Sequence, residues 1–349
     1  MISGGTKAVV LLGAQRFDPT LREAVDELGV KGKIATITAG WQEREDDDDD
    51  LDQHLDNRAI NLMLHARAEA VFKEDAELLA AHRERQALLR LRQDFYRVRL
   101  EHALDAATVI ENRSAPPEIL GDEARTSIEA IRNIDALHLE RCAKDRADWD
   151  ERVKVAERRA VARHRKELRS ILDDCEAIAI AGGHVASLLN RLQLFDVGEL
   201  AKGKVVFAWC GGAMAVTERV VLFHDSPPQG MGAPEVLDAG LAFVGDVVAL
   251  PQPEVRLRLD DRERLRLLAR RFQPATCIAM PARSRVTWLR TGPTGLRGAF
   301  AIREDGSHAW TGGRPAEIRS ATDSSPGLAP DSIPGMEIAP VSKRGERPS

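Results

Sequence analysis

Cys210 stands where a cysteine can act chemically as well as pack. It follows the apolar run Val205-Val206-Phe207-Ala208-Trp209 and precedes Gly211-Gly212-Ala213, so one nucleophile-type residue separates a buried strand from the small residues that open a helix. This is the layout of a nucleophile elbow, in which a tight turn exposes the side chain and small neighbours let the chain bend. A helix start also favours a thiolate, which is expected to bring the Cys210 pKa from about 8.5 toward neutrality. The plainer reading is a buried cysteine in a tight turn. A second turn, Ala181-Gly182-Gly183-His184, ends the run Ala177-Ile178-Ala179-Ile180. Backbone N–H groups at such a turn can hold an anion, including the oxyanion of acyl transfer, although close packing of a strand on a helix calls for glycine too.

Acyl chemistry at a thiol needs a group that moves a proton. Of nine histidines, only His224 and His308 follow Cys210. His224 borders Asp225 and can serve as base if its ring turns toward the thiol, though adjacent residues on an extended segment point opposite ways. His184 is placed as a polar neighbour of the nucleophile, or as an exposed residue at a helix start. His308, in Gly306-Ser307-His308-Ala309, reads as a solvated loop residue. The tripeptides His82-Arg83-Glu84 and His138-Leu139-Glu140 read as charged helix surface.

The elements that must position these residues fall into four stretches. From 7 to 45, Ala8-Val9-Val10-Leu11-Leu12, a helix from Pro19 to Leu28 and Ile34-Ala35-Thr36-Ile37-Thr38 read as β-α-β, with strands buried on both faces. From about 46 to 170 the chain is rich in Ala, Leu, Arg and Glu, with apolar residues at helical spacing. Examples are Leu78, Leu79, Leu88, Leu89, Leu91 and Phe95, then Ile128, Ile131, Ile134 and Leu137. Pro116-Pro117 divides two helical stretches, roughly 55–112 and 122–170, folded back on each other. Helices that long must protrude or wrap around their host. From 171 to about 305 strands alternate with helices again, which implies a parallel sheet covered on both faces. Asp246–Leu250 is one later strand, and Cys277–Met280 with Arg285–Leu289 form a late strand pair.

Composition excludes more than it names. The 349 residues carry 50 Lys+Arg and 55 Asp+Glu, a formal net charge of -5, which speaks against a protein that coats nucleic acid or anionic lipid. Aromatic residues make up only 4%, too few for a base-stacking platform or a ring-walled sugar cleft. Cys142, Cys175, Cys210 and Cys277 form no CxxC pair, so neither a disulfide framework nor a metal site is expected, and a reducing cytoplasm is the natural compartment. No apolar run approaches the roughly 20 residues of a membrane helix, and no cofactor is implied. The acidic run Glu43 to Asp50 reads as a solvated loop. Arg158 to Arg169 reads as the wet face of a helix rather than a phosphate patch.

Taken together, the motifs resemble a known family. Strand-Gly-Gly-x-helix (Ala177 to Leu194), strand-Trp-Cys-x-Gly-Ala (Val205 to Ala213), Asp225 and Gly240-Leu241-Ala242-Phe243-Val244 look like the dipeptidase E and cyanophycinase group. Those are serine peptidases on the class I glutamine amidotransferase-like fold. The resemblance covers about residues 7–45 and 171–290, and implies an α/β, flavodoxin-like three-layer core with a parallel sheet flanked by helices. It implies Cys210 as nucleophile, the N–H groups of Gly211 and of the Gly182-Gly183 turn at the oxyanion position, and Asp225 at the family's acidic position. The sequence departs from the family in three places. The nucleophile is cysteine rather than serine, Leu250-Pro251-Gln252-Pro253-Glu254 stands where a histidine is due, and Met280-Pro281-Ala282-Arg283 lacks a glutamate.

The organisation expected is thus a discontinuous core, 1–50 and 171–310, a coiled-coil-like helical arm over 51–170, and a disordered Pro/Ser-rich tail over 311–349. The activity expected is hydrolysis of a small amide or peptide substrate through Cys210, with Asp225 and either His224 or His184 handling protons. The alternative is a catalytically inactive relative that works as a binding or scaffolding module through the arm. Because so long a hairpin has more apolar positions than it can bury on itself, homo-oligomerisation or a protein partner through the arm is expected as well.

Overall fold

In the computed structural model, which describes residues 5–225 and 232–309, apolar runs that end in small residues become the parallel strands of one sheet. The chain begins β1 (Ala8–Leu12), α1 (Leu21–Glu27), β2 (Lys33–Ile37), a 3-10 turn (Ala39–Arg44), α2 (Asp49–His54), β3 (Ala59–Asn61) and α3 (Leu64–Glu74). Two long helices follow, α4 (Ala76–Glu111) and α5 (Pro117–Val153), then α6 (Arg159–Asp173). The second half runs β4 (Cys175–Ile180), α7 (Val185–Leu194), α8 (Val197–Leu200), β5 (Val205–Trp209), α9 (Gly211–Ala215), β6 (Arg219–Leu222) and β7 (Glu235–Ala239). It closes with β8 (Val247–Pro251), α10 (Pro253–Arg256), α11 (Arg262–Phe272), β9 (Thr276–Met280), β10 (Arg285–Leu289), β11 (Gly292–Arg297) and β12 (Phe300–Ile302). The stretch 311–349 lies outside the described residues.

The central sheet has the order β11-β10-β1-β5-β4-β2-β3. Its five inner and edge strands β1, β5, β4, β2 and β3 are parallel, while β10 and β11 add an antiparallel edge. Strands β1 and β5 are buried along their whole length, which explains why they read as unbroken apolar runs without alternation. The architecture is therefore α/β with a mixed, mostly parallel sheet. Three features differ from the sequence-based expectation. Strands β9 and β10 are not a pair, since β9 joins β8 and β12 in a separate three-stranded sheet and β10 pairs with β1 and β11. Strands β6 and β7 form a third, two-stranded sheet. The stretch 51–170 also contributes β3, whose pairing with β2 through Ile34 and Ala59 makes it the edge of the central sheet, so the long hairpin proper is α4 and α5.

That hairpin does not stand away from the core. Arg271 of α11 grips Asp135 of α5 through two hydrogen bonds of 2.7 Å, and Tyr96 of α4 donates to the same carboxylate at 2.8 Å. The Tyr96 hydroxyl in turn accepts the N–H of Val236 in β7 at 2.9 Å. Buried polar groups survive only when their partners are supplied in this way. His138 stacks on Tyr96 and is buried, and His82 is partly buried against Phe72, so neither is the charged helix surface that its tripeptide suggested. The Arg-rich stretch is paired within the chain, with Arg158 near Asp75 and Glu77, Arg163 on Glu74, and Arg165 on the Leu194 carbonyl. Among the described residues no helix is long and apolar enough to cross a membrane.

Candidate active site at the end of strand β5

The C-terminal ends of β2, β4 and β5 meet at one edge of the sheet, where open α/β sheets form their ligand crevices. Cys210 leaves β5 there with φ 51 and ψ -123 and serves as the N-cap of α9. A non-glycine residue held at such angles costs on the order of 1–3 kcal/mol, and that strain persists only where the surroundings over-determine it. The surroundings here are backbone. A Cβ on Gly182 would lie 2.5 Å from the Cys210 Cβ and 2.9 Å from the Gly211 nitrogen, so only glycine lets the two turns come this close. Gly183, at φ +101, and the Gly182 carbonyl press equally closely on Gly40, whose own carbonyl accepts the His184 N–H at 2.7 Å. Cys210, Gly182, Gly183 and Gly211 are thus brought together as the sequence motifs anticipated.

The electrostatics run opposite to the helix-start expectation. Burial pushes the Cys210 thiol up to about 11; the charge of Arg256 offsets part of this and that of Glu254 adds to it. Helix α9 is only five residues long, and every one of them is buried. A single turn carries little of the macrodipole, and loss of solvent outweighs it. Cys210 keeps part of its surface open and packs beside the cluster that includes Trp209 and Trp41.

Glu254 is the residue that motif reading missed. It occupies the place where the resemblance called for histidine, in the single turn α10 that follows β8, behind Gln252 in a left-handed conformation and Pro253 at the first helical position. Burial raises its carboxyl above the ordinary glutamate value, against hydrogen bonds from its own N–H and that of Ala282. Its Oε2 is buried without a hydrogen-bond partner among the described residues. A search for histidine passes over it. The available signal was chemical: a carboxylate just past a strand end and a helix-starting proline.

The remaining predicted residues are placed differently. His184 is exposed, and its Nδ1 accepts the Ser187 N–H at 3.1 Å to cap α7. His224 has its pKa lowered by burial and by Arg256, with Asp225 acting in the other direction. Arg256 is therefore common to the fields at His224 and Cys210. Asp225 is buried, bonded by Arg264 at 2.6 Å and by the Arg258 N–H at 3.1 Å, while its own N–H donates to the Arg256 carbonyl at 2.7 Å. Asp225 also borders a cavity of about 390 Å³ between α4 and α11, whose lining does not include Cys210. Its carboxylate is thus directed to arginines of the 256–264 segment. His308 is partly buried, tilted against Phe300 and 2.9 Å from the Leu259 carbonyl, rather than solvated.

No family model matches the chain, and no curated protein matches it. Among solved structures, a peptidase from an acI-B1 Actinobacterium is similar over 82% of this chain and 84% of its own length, at 12% sequence identity and a TM-score of 0.39. At that depth of similarity no residue of one chain can be placed on the other.

Proposed function

We propose that the protein is a cysteine-nucleophile hydrolase of an amide or peptide bond, a divergent member of the dipeptidase E and cyanophycinase group on the class I glutamine amidotransferase-like fold. The observation that carries this reading is the backbone of Cys210, strained at φ 51 and ψ -123 and pinned by Gly182 where strand passes into helix. Strain of this kind collects at functional sites, and here it holds a part-exposed thiol between strand and helix.

In this reading the thiol of Cys210 gives its proton to Glu254 as sulfur attacks the substrate carbonyl. The Gly211 N–H and the Gly182-Gly183 turn face the oxygen on which negative charge builds. The proton passes to the departing amine, and a water then hydrolyses the thioester and regenerates the thiol. With the thiol near 11, few molecules carry a thiolate at rest, so reaction depends on proton transfer during attack. Glu254 replaces His224, His184 and Asp225 as the preferred acid-base group, because its field reaches Cys210 and one of its oxygens is unpartnered.

The elevated thiol also favours a second reading, a catalytically inactive module that binds or scaffolds. Release of chromophore from a panel of aminoacyl and peptidyl anilides separates the two. Turnover by the full chain that is lost in Cys210→Ala and strongly reduced in Glu254→Gln supports the hydrolase. Turnover equal in the full chain and in Cys210→Ala contradicts it.

A further inference from the structure

Four large apolar side chains lie open to solvent along the middle of α4, Leu88, Leu91, Phe95 and Val98, with exposures of 39%, 56%, 65% and 54%, apart from Val109 nearer its end. They are spaced three, four and three residues apart, the spacing of the a and d positions of a coiled-coil seam. The other flanks of α4 are already occupied. Tyr96 and Leu100 are buried, Arg92 pairs with Asp145 of α5 at 2.7 Å, and Gln93 and Arg97 reach Glu235 of β7 at 2.9 and 2.8 Å. Exposed apolar residues are ordinarily scattered singly, whereas these form one contiguous stripe on a face that neither α5 nor β7 covers.

We infer that this stripe binds the same stripe of a second copy of the chain, as a parallel pair of α4 helices about a two-fold axis. The flanking charges select the occupant and its direction. With Leu88 and Phe95 at a and Leu91 and Val98 at d, Arg92 and Arg99 fall at e, and Asp94 and Glu101 at g. In a parallel pair each g residue meets the e residue of the following heptad, which sets Asp94 against Arg99 of the second copy on both sides of the axis. An antiparallel pair sets arginine against arginine and acid against acid. Self-complementarity of this kind is what a two-fold interface requires. The inference is independent of the chemistry at Cys210.

Sedimentation of the full chain over a concentration series tests it. The wild type is expected to form a dimer, and Phe95→Glu to weaken the dimer at least about tenfold, as loss of an aromatic anchor does. Asp94→Arg and Arg99→Asp each weaken it, and the double variant restores it. Asp94 and Phe95 are exposed, so circular dichroism of their variants should match the wild type, whereas Arg99 is half-buried with its Nε enclosed, so the thermal melt of Arg99→Asp is read beside its sedimentation. Mild oxidation of Leu88→Cys should give a cross-linked dimer that the wild type, with its own four cysteines, does not form. An antiparallel pair centred on the seam would hold the two copies of position 88 about 15 Å apart. A wild type that stays monomeric, or a dimer indifferent to Phe95→Glu, overturns the inference. A dimer broken by Phe95→Glu but neither cross-linked through position 88 nor restored by the charge swap overturns the parallel arrangement.

Discussion

Removing Asp135 should show that the long hairpin is welded to the core. The carboxylate and its partner Arg271 are 3% and 2% exposed, held by two bonds of 2.7 Å, with the Tyr96 hydroxyl bonded to both. Breaking a buried pair by deleting one partner leaves an unpaired buried charge and costs about 3–5 kcal/mol. For a unit of about 300 residues, with an unfolding entropy near 2.1 cal/mol/K per residue, that loss lowers Tm by about 5–8 °C. Asp135→Ala should therefore melt at least about 5 °C below the wild type by calorimetry, in one transition. Lys202→Ala provides the comparison, since Lys202 and Glu199 are each 54% exposed and such a pair contributes about 0–1 kcal/mol. The double variant Asp135→Leu with Arg271→Met, which removes both charges, should recover more than half of the loss. An Asp135→Ala protein that melts like Lys202→Ala, or a separate early transition of the hairpin, would refute the reasoning.

Three further outcomes follow from the site and its surroundings. Gly182→Ala puts a methyl group 2.5 Å from the Cys210 Cβ, so it should cost about 1–3 kcal/mol in denaturant unfolding and lower turnover on the order of 10²-fold by displacing the elbow. Glu254→Gln should lower kcat by about 10²- to 10⁴-fold and flatten the acid limb of the pH–rate profile, because the wild-type base is lost as pH falls through its raised carboxyl value. Burial lowers His82 from 6.5 to about 4, so its stabilising contribution is complete above 6.5 and declines as pH falls toward 4. His82→Leu should reduce the loss of unfolding free energy between neutral pH and pH near 4.5 by about 2–3 kcal/mol, and an unchanged difference would count against the buried, neutral ring.

The parts of this structure that were legible in the sequence are those fixed by local chemistry. The runs at Ala8–Leu12, Ala177–Ile180 and Val205–Trp209 became strands because parallel strands buried on both faces show no alternation, and the Gly-rich turns at 182 and 211 met because both close the same edge. Pairing partners were less legible. Nothing in Thr276–Met280 or Arg285–Leu289 says that a neighbour in sequence is absent from its sheet, because an apolar run marks a strand without naming its partner. The hairpin illustrates the same limit, since helical spacing picks out Ile131, which is buried, together with Phe95 and Leu91, which are exposed, and does not reveal that Tyr96 faces inward or that Asp135 meets Arg271. At the site, Cys210 was found by its small neighbours, whereas its ionisation was misjudged. Charge and helix position are visible in a sequence, but the burial that outweighs them is not. Glu254 escaped notice because its usefulness lies in position alone.

The most direct test of the central claim is the mass of the protein after brief exposure to an amide-mimicking electrophile, such as a peptidyl chloromethyl ketone, followed by peptide mapping. Cys210 acting as a strained, substrate-guided nucleophile predicts one adduct on Cys210, formed faster than with free cysteine, suppressed by Gly182→Ala and slowed by Glu254→Gln. Cys210 reacting no faster than free cysteine, with an equal rate in Gly182→Ala, would contradict it.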